Sequence, residues 1–482
     1  MGPEQNSQNE TIPLLIDVLQ SKQAASPRRG RSSPAKHESS AGLGEVLPQQ
    51  GSGLSVVFAT LCIVDLFGVF PIIALPRAII NCGWIGIPLA LSVFSVQIYT
   101  ARLLGRCWVM AERINPLIML KSRYPYAALA EEALGLKASR LVSFLLDITI
   151  FGASIPNLLV ASQNLQLIGL KMSHWNFEFS FCYWLVLVGI VLCPVMWLGS
   201  PKDMKWLAGT SVFTVASVGV LTWVTMITDI RDLDTQPVPQ LSWEAIAVAY
   251  GVIAFQFDIH PMILTVQVDM ERKNELGKAI TCGFLVTCSL FLTTTIIAMW
   301  RYGSTVTPNL LQGMPANAPL YADVLLVTLQ ICLSMVVGGC ALYQDVEDKL
   351  GIPREFNWKR CLVRSSLVML GVALGLTVPR FDLIMGLIGG ALTGPLMFIF
   401  PPLFYLHLSR NALSGVRRHP VWMAAERLLL LIVILLGVAA TIAATYFSLV
   451  ETVQFAHFTP PCIVNVTSAS RAWINDAFSF DL

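Results

Sequence analysis

Four residues that can do chemistry, Gln256, Asp258, His260 and Pro261, stand together in the otherwise apolar run AYGVIAFQFDIHPMILTVQVDM. An acid at bilayer depth costs about 2.5–3.5 kcal/mol on insertion scales, so such groups face a cavity and mark a pathway. A proline beside them interrupts the helix, and a span both polar and broken points to a solute site made from unwound backbone. A second segment has the same character: VDLFGVFPIIALPRAIINCGW carries Asp65, Gly68, Pro71 and Pro76. Asp65 and Asp258 are candidate carriers of a coupling proton, taken up on an acidic side and released into the cytoplasm. Each could instead cap a backbone N–H exposed at its break, or pair with a cationic solute. His260 supplies an imidazole, whose charge changes between about pH 5 and 8.

These residues need a scaffold, and the composition says which kind. The chain of 482 residues is 55% hydrophobic and only 13% charged, against about 25% charged in soluble domains. Runs long enough to cross about 30 Å of hydrocarbon predict an all-α polytopic membrane protein with eleven spans. They lie near 55–76, 84–107, 141–169, 181–199, 206–228, 243–267, 279–300, 321–343, 361–378, 382–408 and 427–449. With the N-terminus in the cytoplasm, the outer loops keep only Arg77, Lys171, Arg231, Arg301, Arg380 and Arg471 of the 32 Lys and Arg residues. Every inner loop is richer in Lys and Arg than its outer neighbours, as the positive-inside rule requires.

The domain at 51–450 divides into a first repeat (55–228), a second (243–408) and an eleventh span. Each repeat has five spans, an odd number, so the second enters the membrane inverted. Both open with a span interrupted by Gly and Pro, the pattern that marks a site near the midplane. Residues 1–50, rich in Ser, Pro and Arg, read as a disordered cytoplasmic tail without a secretory signal. In it, Glu10, Leu14 and Leu15 have the spacing of an acidic dileucine signal for sorting adaptors. That favours an endosomal, lysosomal or vesicle membrane, with the plasma membrane as the alternative. The segment YPYAALAEEALGLKASR reads as an amphipathic helix at the inner interface. Residues 451–482 form a luminal or extracellular tail with a glycosylation sequon at Asn465. Cys182 and Cys462 fall on the oxidising side, where a bridge is conceivable though spacing alone does not establish it. The sequence has no P-loop, metal-spaced Cys or His cluster, or nucleic-acid module, so no metal, nucleic-acid partner or enzymatic activity is expected.

The motifs resemble the amino acid/auxin permease family, which includes vesicular inhibitory and proton-coupled amino acid transporters. Leu75, Pro76, Ala78, Gly83 and Trp84 match its first span, and Gly251, Phe255, Phe257, His260, Asp269 and Met270 its sixth. YGSTVTPNLLQGMP and MGLIGGALTGPLMFIFPPLFYL agree further, and the likeness covers about 51–450. The chain departs at Gln256 and Asp258, where the family usually has Ala and Gly, and at Val69 and Pro71, where it is Gly-rich. The resemblance implies a leucine-transporter-like 5+5 inverted repeat plus one helix, working by alternating access.

An amino acid offers a carboxylate and an ammonium, and the N–H and carbonyl groups of broken helices can meet both. The expected substrate-binding positions are Gly68, Val69 and Phe70 in span one, and Gly251, Ala254, Phe255, Gln256 and Phe257 in span six. Asn157, and with it Ser154, lines the path from span three. Asp65, Asp258 and His260 are the expected coupling-ion residues. Thr328 and Ser334 stand where some relatives bind sodium, the alternative ion. The leading expectation is a proton-coupled transporter of a small amino acid or related amine. The rival is an amino-acid sensor with vestigial transport, in which bulk at 256 and 258 fills the pocket; an open channel is a third reading.

Overall fold

The computed structural model describes residues 53–121, 124–174, 176, 179–198, 204–231, 241–353, 356–412, 420–458 and 461–478. The expected sorting signal at Glu10, Leu14 and Leu15 lies outside them. Helices α1 (Val56–Phe67), α2 (Phe70–Ile73) and α3 (Leu75–Asn81) make the first crossing. Ser55 starts it by accepting a hydrogen bond from the Phe58 N–H. Gly68 ends α1 with φ +61° and ψ −149°, a backbone conformation rarely open to other residues. Pro71 and Pro76 then open the two short helices, where a missing N–H costs nothing. The continuation leaves α1 at 48°.

After these come α4 (Gly86–Ile114), α5 (Pro125–Leu134), α6 (Leu136–Met172), α7 (Phe181–Leu198) and α8 (Met204–Ile227). The second half opens with α9 (Trp243–Gln256) and α10 (His260–Asp269), parted at residues 257–259, with Pro261 in the first turn of α10. Then follow α11 (Leu276–Tyr302), α12 (Ala318–Lys349), α13 (Trp358–Thr377) and α14 (Phe381–Ile388). Two π-helical segments, Gly389–Thr393 and Pro395–Ile399, join α14 to α15 (Phe400–Ala412). The last helices are α16 (Pro420–Phe458) and α17 (Val466–Phe478).

Among the described residues, nine helical stretches are long and apolar enough to cross a bilayer, and the bent first crossing makes up to ten. The expected fourth span is a shorter apolar helix, Phe181–Trp197, so length and composition alone do not reach eleven. Beyond helices, the described residues hold one isolated bridge, between Leu54 and Met270.

Helix contacts keep their pattern when the two halves are exchanged. The third crossings pack on each other (α6 on α12), as do the fourth (α7 on α13). The fifth crossing of one half packs on the third of the other: α8 on α12, α14 on α6. Each fifth also packs on the broken first crossing of its own half: α8 on α1, α14 on α9. A two-fold related pair of five-helix units produces such exchange symmetry.

Polar contacts gather at two ends of the bundle. At the near face, where α1 begins, Lys273 meets Glu112 at 2.5 Å and Lys349 meets Asp147 at 2.6 Å. Arg364, fully buried, bonds Glu347 through Nε at 2.6 Å and the Met196 carbonyl through Nη1 at 2.7 Å. At the far face, cations left by α3, α6, α8 and α11 hold the connection between α11 and α12. Arg77 donates to the Val306 carbonyl and Lys171 to that of Met314. Arg231 reaches the Gly313 carbonyl at 2.5 Å, while Arg301 donates to the Arg231 carbonyl.

One expectation needs correction. The α5 helix does not lie on the bundle surface: Pro125 to Ala130 are buried against α6 and α15, and the Tyr126 hydroxyl donates to the Leu396 carbonyl. Its Ala, Leu and Tyr face meets protein rather than lipid. The expected tail, 451–482, carries further helix. Helix α16 continues to Phe458, and α17 is drawn back by a Cys182–Cys462 disulfide with Cα atoms 6.0 Å apart. The Gln166 side-chain amide reaches Ser470 at 3.1 Å, and Trp473 packs on Phe181. Asn465 is exposed at the start of α17, where its side-chain oxygen accepts the Ser468 N–H.

Candidate functional site

The two interruptions meet. Phe67, last in α1, packs edge-on against Phe257, first after α9, with centroids 5.5 Å apart. Beside this junction opens a cavity of about 190 Å³. Its walls are the breaks themselves, the middle of α6 from Thr149 to Asn157, the near half of α12 down to Tyr343, and Leu367 of α13. Along α12 the cavity therefore runs from mid-bundle toward the near face. Phe67, itself in the cavity wall, joins Phe94, Phe257, Phe284 and Phe291 in an aromatic cluster with neighbouring centroids 4.8–6.3 Å apart.

Of the sequence-predicted residues, Asp65, Gly68, Phe70, Asn157, Phe255, Gln256 and Asp258 line this cavity, and so does Ser154. The others are nearby but face elsewhere. Val69 is buried at the start of α2, and Phe257 belongs to the aromatic cluster. Ala254 offers its carbonyl to the Gln97 amide at 3.2 Å. Gly251 is a packing glycine, since a β-carbon there, or at Gly389 opposite, would collide with the facing backbone carbonyl. Small residues let α9 and the π segment approach this closely. A glycine in a span serves either use, and sequence alone does not separate them.

Main-chain groups of both polarities end at the cavity. Helix α1 stops with the Leu66 and Phe67 carbonyls carrying no backbone hydrogen bond among the described residues. The N–H of Phe70, also in the cavity wall, likewise has no backbone partner there, as at any helix start. Side chains add acid, amide and hydroxyl. Asp65 is buried and faces Ser211 of α8. Gln330 of α12 donates to Ser211 Oγ at 3.3 Å and to Ser334 Oγ at 2.7 Å. Asp258 lies 3.9 Å from His260 Nδ1, and His260 Nε2 is 3.1 Å from Thr100 Oγ1. One oxygen of each acid is buried without a hydrogen-bond partner, as is His260 Nδ1. His260 thus stands behind Asp258 rather than in the cavity wall.

Gln330 and Ser211 escaped the sequence reading, because a lone amide or hydroxyl in an apolar span usually packs helices. Thr328, a sodium candidate, is committed elsewhere: it donates to the Val324 carbonyl at 2.7 Å and accepts from Asn164 at 3.3 Å. Ser334 does line the cavity. Asp147 is an ion-pair partner, as its position near the inner end of span three suggests.

Residues 52–449 match the model of a family described as transmembrane amino acid transporter protein. The chain belongs to that family. Among curated proteins, this family member is 21% identical over 391 residues to amino acid transporter AVT1J of Arabidopsis thaliana, covering 78% of itself and 86% of that protein. Amino acid transporter AVT1I of the same plant is 20% identical over 396 residues, with 78% and 90% covered. Among solved structures, MhsT in complex with L-phenylalanine superposes with a TM-score of 0.52 at 12% identity, over 81% of this chain and 99% of that one. At that identity the likeness is one of fold: the leucine-transporter-type arrangement of two inverted units. The family member is accordingly a multi-pass membrane protein of amino acid transport.

Proposed function

We propose that this chain is a secondary active transporter of a small amino acid or related amine, driven by protons and working by alternating access. One observation carries the reading: the cavity sits where both broken crossings meet, and two acids enter it beside free main-chain polar groups. The N–H of Phe70 would receive the substrate carboxylate, and the Leu66 and Phe67 carbonyls its ammonium. Asp65 and Asp258 would carry the coupling proton, with the His260 imidazole 3.9 Å from Asp258. Sodium remains the alternative ion, with Ser334 as its available hydroxyl.

With the near face assigned to the cytoplasm by the positive-inside rule, the cavity opens inward and the far clasp is shut. The N-terminal tail then offers its dileucine-like signal to cytoplasmic adaptors, which favours an endolysosomal or vesicle membrane. Asn465, exposed on the far side, would be available for glycosylation. The rival reading is an amino-acid sensor with vestigial transport, to which the bulk of Gln256 and Asp258 in the cavity wall gives weight.

The test is uptake of a labelled amino acid panel by the reconstituted protein, with and without an inward-acid pH gradient. Gradient-stimulated accumulation is expected. Background uptake for every substrate in both conditions would overturn the reading.

A further inference from the structure

Helix α12 carries an acid that the cavity does not use. Asp323 is fully buried, six residues into the helix from its far end. Its Oδ2 accepts a hydrogen bond from Thr222 of α8 at 2.7 Å, while Oδ1 is buried without a partner. The other elements packed on α12 bring it no counter-charge among the described residues. From α6 come Asn164, held by Thr328 and by Asn309 at 2.9 Å, and at the far end Lys171, whose ammonium donates to the Met314 carbonyl. From α13, Arg360 and Arg364 are committed to Glu347 at the opposite end. From α1, Asp65 sits at the level of Gln330.

An ionised carboxylate in that position would be desolvated with a single hydroxyl to hold it, a state of high cost. A neutral carboxylic acid fits the same surroundings. Position along the helices then gives the acid a use. Asp323, Gln330 and Ser334 recur at seven and four residues on one face of α12, and Ser211 and Thr222 recur on one face of α8. The seam between these helices has Asp323 at its far end and Asp65 at its middle. About 10 Å of helix rise separates Asp323 from Gln330, and buried Val215, Val218 and Val327 fill that interval. Asp323 is therefore sealed from the open cavity, and the far face is closed above it by the clasp of Arg77, Lys171 and Arg231.

We propose that Asp323 is a second proton-binding residue, one that exchanges its proton with the far aqueous phase when the clasp opens. The step is a simple protonation: the carboxylate takes one proton from far-side water and returns one when the charged form is next hydrated. The idea rests on proton-driven transport for its place in the cycle, but not for the titration itself.

The experiment pairs two measurements on the full-length protein, with monodispersity as the fold control. The first is the infrared carbonyl band of protonated carboxylic acids in the purified protein, followed as pH is raised. Asp323→Asn is expected to remove one component that Asp65→Asn leaves, and Thr222→Val to shift that component. The second is gradient-driven uptake of labelled glycine and alanine by vesicles, in which Asp323→Asn is expected to lose stimulation and Asp323→Glu to keep it. A spectrum unchanged by Asp323→Asn, or proton-driven uptake with the same pH profile in wild type and Asp323→Asn, would overturn the proposal. Wild-type vesicles inert at every pH, with the Asp323 component present, would instead sink the transport reading and leave the titrating acid standing.

Discussion

Gln330 stands directly over Gly68: a β-carbon on that glycine would come within 3.1 Å of the Gln330 Nε2. The break in the first crossing is thereby held from two sides, by a backbone conformation reserved for glycine and by an amide from α12. Gly68→Ala would add strain of about 1 kcal/mol or more at the positive φ and push the amide off Ser211. The expected outcome is protein that still purifies as a monodisperse species but transports poorly. Uptake assays beside thermal melting check this, and unimpaired uptake would remove Gly68 from the site.

Asp258 can be tested apart from Asp65. Asp258→Asn keeps the shape of the site but removes the group facing His260 at 3.9 Å. Uptake that no longer responds to the pH gradient is expected, with exchange of substrate at equal pH retained. An unaltered pH response would take this acid out of coupling.

The far clasp has its own pH behaviour. Burial works against the charge on Asp229, but hydrogen bonds from Arg231 (2.9 Å) and Tyr302 (3.0 Å) outweigh it and hold the carboxyl below the ordinary value of 3.8. Its folded value is lower than its free one, so its contribution is present above about pH 4 and lost only as pH falls below that. The clasp should consequently stay intact at the pH of an acidic organelle, and Asp229→Asn should loosen it wherever the pH is above about 4. Thiol labelling from the far side at Val306→Cys reads this: faster reaction is expected with Asp229→Asn, and no change on acidifying the unaltered clasp to about pH 5.

Arg364 is a structural cation. Removing it by Arg364→Ala would leave Glu347 buried with only Arg360, at 3.3 Å, in partial compensation. Breaking a buried pair costs about 3–5 kcal/mol, and Arg360 should keep the loss toward the lower end. A clear drop in the melting midpoint is expected, and an unchanged midpoint would show that the pair contributes nothing.

The Cys182–Cys462 bridge closes a very long loop, with a sequence separation of 280. Its loss through Cys182→Ser should cost about 2–4 kcal/mol. Maleimide labelling without reductant should leave both sulfurs unmodified in the wild type, and labelling of Cys462 would refute the pairing.

Much of the architecture was legible because hydrocarbon thickness leaves helices few choices, and because Gly68, Pro71 and Pro261 announce breaks in their local chemistry. Asp65 and Asp258 stood out since acids are expensive in lipid. What stayed hidden depends on facing. Gly251 and Gly68 are the same residue type in matching spans, yet one opens backbone to a cavity and the other lets two helices touch. Gln330 and Ser211 acquire meaning only once α8 and α12 bring them to the break. Asp323 was passed over because an acid near a span's end can sit among headgroups, and only packing shows it enclosed. Helix α5 misled for a related reason: an apolar stripe does not say whether lipid or protein will cover it.

The acceptors that Arg77, Lys171 and Arg231 grip are peptide oxygens, which every amino acid possesses. Side chains along the gripped connection can drift during evolution without unlatching it. Its length and course cannot, so insertions there should be selected against more strongly than replacements.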